Sequence, residues 1–174
     1  MRRTLPVTAA LAIAGAVAIS AAADTRPTAR IAAKAITNER VGQVRLGMTH
    51  QQLRDRGLVG RLRRGCELEG PDERIARLRS PLRGIVEYTD DAPRRVTNIL
   101  VTRGARARGV RVGDRIRDIR AAFPGAKVNR QTEDVFGIWL VRVPRNAGGL
   151  IRFSVPVDTK RIDAIGVPAI PFCE

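Results

Sequence analysis

One stretch of this chain is written twice, and that constrains its fold more than any other feature. Val44-Arg45-Leu46-Gly47-Met48-Thr49-His50-Gln51-Gln52-Leu53 returns sixty-six positions later as Val110-Arg111-Val112-Gly113-Asp114-Arg115-Ile116-Arg117-Asp118-Ile119. Val44, Leu46, Gly47 and Leu53 fall on Val110, Val112, Gly113 and Ile119. Arg95-Val96-Thr97-Asn98-Ile99 returns at the same offset as Arg161-Ile162-Asp163-Ala164-Ile165. A period of this length is the signature of a tandem repeat, so whatever the first unit folds into, the second must also fold into.

Local patterns suggest what that unit is. Thr49 with Gln52 three residues on makes a capping box at a helix start, Leu53 is the helix's buried anchor, and Gly57 supplies a C-terminal cap. In the second unit Ile116, Ile119 and Phe123 share a helical face, and Pro124-Gly125 ends it. The runs 85–88 and 96–101, either side of Asp90-Asp91-Ala92-Pro93, read as a hairpin. The segment 135–143 has large apolar side chains at both parities, as in a strand covered on both faces. It leads through Asn146-Ala147-Gly148-Gly149 and Val157-Asp158-Thr159-Lys160 into strands at 150–155 and 162–167. Between 61 and 79 only Ile75 and Leu78 hint at a strand. The predicted fold class is therefore α+β, with two tandem helix-plus-antiparallel-sheet repeats (α-β-β-β each) at 36–103 and 104–174 and the helices packed on one sheet face. The repeated Gly47 and Gly113 mark a lead-in that needs either a backbone conformation or a close approach denied to a branched residue.

Residues 1–23 carry early arginines, an apolar run and a Ser20-Ala21-Ala22-Ala23 ending, which together read as a signal peptide cleaved after Ala23; the competing reading is an uncleaved N-terminal anchor. The expected localisation is secreted or extracytoplasmic, with 24–35 a flexible leader and no integral membrane segment after cleavage. Export gives the two cysteines, Cys66 and Cys173, a reading: one lies in each half, and an oxidising compartment favours a disulfide between them.

Loss of Arg2 and Arg3 with the signal takes the formal charge from +15 to +13. Arginine bias beside abundant Ala, Gly and Val is what a GC-rich genome yields, whereas the sharper reading is a site for an acidic partner or an anionic envelope polymer. Nucleic acid is disfavoured as a partner, because stacking platforms need aromatic rings and these make up 3% of the chain.

The inventory points away from an enzyme. The single histidine, His50, is placed on an exposed first helical turn and read as solvated. Ser80 and Ser154 lie outside any nucleophile elbow. Asp90-Asp91 and Glu133-Asp134 are adjacent acids in turn regions, and no phosphate-cradling glycine loop or zinc spacing is present. No metal and no cofactor is expected.

The Leu46-Gly47-Met48-Thr49 stretch before a short helix and antiparallel sheet resembles the repeat of the secreted beta-lactamase inhibitory protein family and of the small outer-membrane-assembly lipoproteins. Ala121-Ala122-Phe123-Pro124-Gly125-Ala126-Lys127-Val128 resembles the opening of a PepSY domain. The second repeat carries Asp114 and Arg115 where Met48 and Thr49 stand in the first, and the lipoproteins' anchoring cysteine is absent. The resemblance implies non-catalytic binding of an extracytoplasmic protein through the sheet face and its loops. Alternation beside Val141 and between Ile151 and Phe153 directs Arg142 and Arg152 away from the helices, which makes them the binding candidates. The loops around Asp90 and Asn146 are the other site considered.

Overall fold

The computed structural model describes residues 34–65, 73–144 and 149–171. The expected α+β class is overturned: the chain is mostly β. An eight-stranded antiparallel sheet runs unbroken through the molecule, beside a two-stranded sheet of β1 (Arg40–Val41) and β2 (Val44–Arg45). The described helices are α1 (His50–Asp55), α2 (Ile116–Ala122) and α3 (Glu133–Phe136). They are too short to form the layer that a helix-plus-sheet repeat requires.

The large sheet contains β3 (Val59–Arg64), β4 (Arg74–Leu78), β5 (Arg83–Tyr88), β6 (Val96–Arg103), β7 (Lys127–Asn129), β8 (Ile138–Pro144), β9 (Leu150–Pro156) and β10 (Ala164–Val167). Their lateral order is β3-β4-β5-β6-β10-β9-β8-β7. Each side of the β6–β10 join thus holds four strands, where three were expected. The two unforeseen strands are the edges. An edge strand has neighbours on one side only, so β3 can carry Arg61, Arg63 and Arg64 without the alternating apolar pattern that reveals a central strand. β7 is only three residues long.

The apolar run read as one strand from 135 to 143 is divided. Residues 133–136 make one helical turn, Gly137 caps it at φ +63°, and β8 starts at Ile138. β8 lies second from the sheet edge, between β7 and β9.

Alternation sorts the sheet into two faces. Val86, Ile99, Val101, Val141, Val143, Ile151, Phe153, Ile165 and Val167 point to the inner face, where they form one buried cluster with Leu53 and Ile119 from the helices, Phe123 at the C-cap of α2, and Val41 and Val44 from the small sheet. α1 starts as its sequence dictates, with both arms of the Thr49–Gln52 capping box formed, and stops at Gly57 (φ +66°), after which the Leu58 amide bonds the Leu53 carbonyl at 2.9 Å.

The outer face is not wholly free. Past β10 the chain turns back across the sheet, and Ile170 forms a second small cluster with Leu140 and Ala164. The Ala169 amide donates to Asn98 Oδ1 at 3.0 Å, while Asn98 Nδ2 donates to Glu87 Oε2 at 2.9 Å. Gly166 makes this crossing possible, because a Cβ there would fall inside contact distance of the Ala169 carbonyl oxygen.

The duplicated stretch makes the same bonds twice. The Gly47 amide donates to the Val96 carbonyl at 2.8 Å and the Gly113 amide to the Ile162 carbonyl at 2.7 Å. The Arg95 guanidinium donates to the Gly47 carbonyl and that of Arg161 to the Gly113 carbonyl, at 3.1 and 2.9 Å. Both glycines have positive φ, +78° and +95°, with open space where a Cβ would sit. Conformation, not close approach, therefore calls for glycine.

Residues 34–36 are tied in by the Arg106 amide, which donates to the Lys34 carbonyl, and by the Ile36 amide, which donates to the Arg106 carbonyl. The end of the segment read as a flexible leader is thus paired with the start of the second repeat. Cys66 and Cys173 lie outside the described residues, as do 1–33 and Asn146.

Candidate functional site

The register of β7, β8 and β9 builds a row of cations on the outer face. Lys127 stands opposite Arg142, and Arg142 stands opposite Arg152. Neighbouring strands lie about 4.8 Å apart, so three positive side chains follow one another across three adjacent strands. Lys127 and Arg142 are exposed and Arg152 is half-buried. Among the described residues none of the three takes part in an ion pair or a side-chain hydrogen bond, and the Arg152 Nε is buried without a partner.

The row is bounded. Beyond Arg152 the next position across the sheet is Gly166, over which the returning C-terminal segment lies, and beyond Lys127 is the sheet edge. One pleat to one side is the Pro144–Leu150 pair, and to the other are Leu140 and Ser154 with Ala164 and Ile170 behind them. Arg142 and Arg152, singled out from the sequence, are thus brought face to face. Lys127 was missed, although its place just before Val128 in a strand opening after Pro124-Gly125 put it on the same face.

Such a row is electrostatically costly in the free protein. Like charges directly opposite one another in a sheet destabilise it, by the order of several tenths of a kcal/mol per pair. An anionic group supplied from outside would remove that cost and give the Arg152 Nε an acceptor.

His50 is not the solvated residue expected. It is half-buried, its ring meets Tyr88 edge-on with centroids 5.4 Å apart, and its Nε2 lies 3.2 Å from the Gly60 carbonyl oxygen. Tyr88 is 3% exposed and its hydroxyl has no partner; burial pushes its pKa above the usual tyrosine range.

Glu133 accepts from Trp139 Nε1 at 2.7 Å, and Arg130 lies over the same indole at 5.0 Å from its centroid. Ser154 is buried at 3% exposure, and Asp90 and Asp91 are exposed. An open groove of about 330 Å³ near Phe123 and Pro144 presents one cation, Arg108, seated over the Phe123 ring at 5.5 Å. Among the described residues no cluster of His, Cys, Asp and Glu has metal-binding geometry, and no helix is long and apolar enough to cross a membrane.

No family model, curated protein or solved structure matches the chain.

Proposed function

We propose that this chain is an exported, non-catalytic interaction module that docks an extracytoplasmic protein on the outer face of its sheet, restraining or chaperoning that protein. The observation that carries the reading is the Arg142–Arg152 pair. Two arginines held opposite each other with no counter-charge among the described residues lower the stability of the free fold, and arginine is well suited to interfaces because its guanidinium makes several directed hydrogen bonds and stacks on a partner's rings. The resemblance of Leu46-Gly47-Met48-Thr49 to the inhibitor and lipoprotein repeats supports the same class of activity.

The three aligned cations of the row and the excess of arginine also favour a second reading, a basic domain held on an anionic envelope polymer. Salt separates the two. Raising ionic strength from 0.1 M to 1 M shortens the screening length from about 10 Å to about 3 Å, which releases a polymer held by charge and leaves a packed protein interface largely intact.

The test is capture of extracellular proteins by the mature chain, beside the same chain carrying Arg142→Glu and Arg152→Glu. Capture that survives high salt and is lost in the variant supports the module. The absence of any salt-resistant partner sinks it.

A further inference from the structure

The row has a length as well as a charge, and the length selects the shape of what it fits. From Lys127 to Arg152 is two strand spacings, about 10 Å. Acidic side chains four and then three residues apart on one α-helix (i, i+4, i+7) span about 10.5 Å at 1.5 Å per residue. Neighbours in that series lie about 5 to 6 Å apart, close to the strand spacing. An extended segment places same-face side chains about 6.8 Å apart, so its third carboxylate overshoots the row.

We propose that Lys127, Arg142 and Arg152 receive an acidic helix of a partner protein, laid across β7, β8 and β9 with its carboxylates over the three cations. This rests on the interaction-module reading and names the element recognised. On one side of the row Pro144 and Leu150 take the helix residues that border its acidic stripe; on the other side Leu140 is already covered by Ile170. The C-terminal segment over Gly166 limits the row to three cations, and Arg152 with its unpartnered Nε is the innermost anchor.

The experiment uses three labelled probes against the mature protein: an alanine-based helical peptide with glutamates at i, i+4 and i+7, the same composition with the glutamates distributed around the helix, and linear polyphosphate. Each exposed ion pair is worth a small factor and is screened by salt, so at about 0.1 M ionic strength three in register should make the aligned peptide bind about tenfold more tightly than the distributed one, while the salt resistance of a whole partner comes from the packed contacts around the row. Arg142→Glu alone is the decisive variant. It faces Lys127 and Arg152 with an opposite charge, so it supports the fold, and its melting temperature should match or exceed that of the wild type while the aligned peptide's advantage disappears.

Equal affinity for the two peptides, stronger binding of polyphosphate, or no binding of the aligned peptide overturns the proposal, as does an Arg142→Glu protein that folds and keeps the preference. These failures are distinct from failure of the module reading. A salt-resistant protein partner still captured by the variant would leave the module standing and remove the row from it.

Discussion

Gly166→Ala tests how the outer face is organised. The glycine has no positive φ that would demand it; what excludes a side chain is space. A Cβ there would lie inside contact distance of the Ala169 carbonyl oxygen and 2.9 Å from Ile170 Cδ1. A backbone carbonyl cannot swing aside as a side chain can, so the segment from 168 to 171 must lift from the sheet. Lifting forfeits the Ala169–Asn98 hydrogen bond, worth about 1 kcal/mol, and much of the burial of Ile170, which is 7% exposed and worth about 2 to 3 kcal/mol. Freedom regained by Ala169 and Ile170 returns about 1 kcal/mol each. The net loss is about 1 to 2 kcal/mol, or roughly 3 to 8 °C in melting temperature for a domain of this size. Thermal melts should be paired with hydrogen exchange at the Ala169 amide, which is protected only while it bonds Asn98. A Gly166→Ala protein that melts with the wild type and keeps that amide protected would refute the account.

Three further outcomes are expected. Gly47→Val and Gly113→Val should each cost at least about 1 to 2 kcal/mol in chemical denaturation, the cost of a side chain in the left-handed region, and more than His50→Ala, whose edge contact with Tyr88 narrows the gap; two unchanged glycine variants would contradict the backbone geometry. Because Tyr88 is the only tyrosine and its pKa is raised by burial, ultraviolet titration should show no phenolate at pH 10 in the folded protein. The unfolded chain ionises from about pH 10, so the stability linked to Tyr88 is complete below that pH and lost as pH rises above it; Tyr88→Phe should flatten the decline, and an ordinary titration midpoint would contradict the burial. Non-reducing mass mapping of exported protein should find the Cys66 and Cys173 peptides joined, worth roughly 4 to 5 kcal/mol on the chain-entropy model; free thiols on both would exclude the bridge.

What could be read in advance followed from how many neighbours each residue has. Thr49, Gln52 and Gly57 announce the limits of α1 because caps are local, and the β5–β6 hairpin pairs as its apolar runs suggested. The helices were overweighted, since a capping box says where a helix starts and nothing of its length. β3 and β7 escaped notice for the opposite reason: half of an edge strand's surroundings is water, so burial writes no alternating pattern into Arg61-Leu62-Arg63-Arg64. His50 was misplaced because its contacts, Tyr88 and Gly60, come from other strands, and nothing local encodes them. The return of 168–171 over the sheet was equally hidden, although Gly166 in an apolar strand was a visible mark of close backbone approach.

The symmetry of the sheet supplies a control for the cation row. In the central join Leu100 pairs with Gly166, Ile99 with Val167 and Val101 with Ile165; the central pair is one repeat period apart and the two flanking pairs interchange under the repeat, so a pseudo-two-fold axis passes between Leu100 and Gly166. Leading away from the axis on one side are Ile85 and Arg77, and on the other Arg152 and Arg142. Arg77 is therefore the counterpart of Arg142 and Ile85 of Arg152. At the position equivalent to Lys127 the β3–β4 register slips between Val59 and Leu62, leaving Gly60 and Arg61 opposite Arg77, and Ile85 in the place of Arg152 keeps three cations from standing in line on that side. Arginine-rich composition acts on both halves alike, yet only one carries three cations in line, so composition alone does not account for the row. Arg77→Glu changes the charge as much as Arg142→Glu, on the same face and at the mirrored distance from the axis. It should leave partner capture within about twofold of wild type, where Arg142→Glu weakens it about tenfold. Equal losses in the two variants would show that capture follows overall charge and that the Lys127–Arg142–Arg152 row has no special part in it.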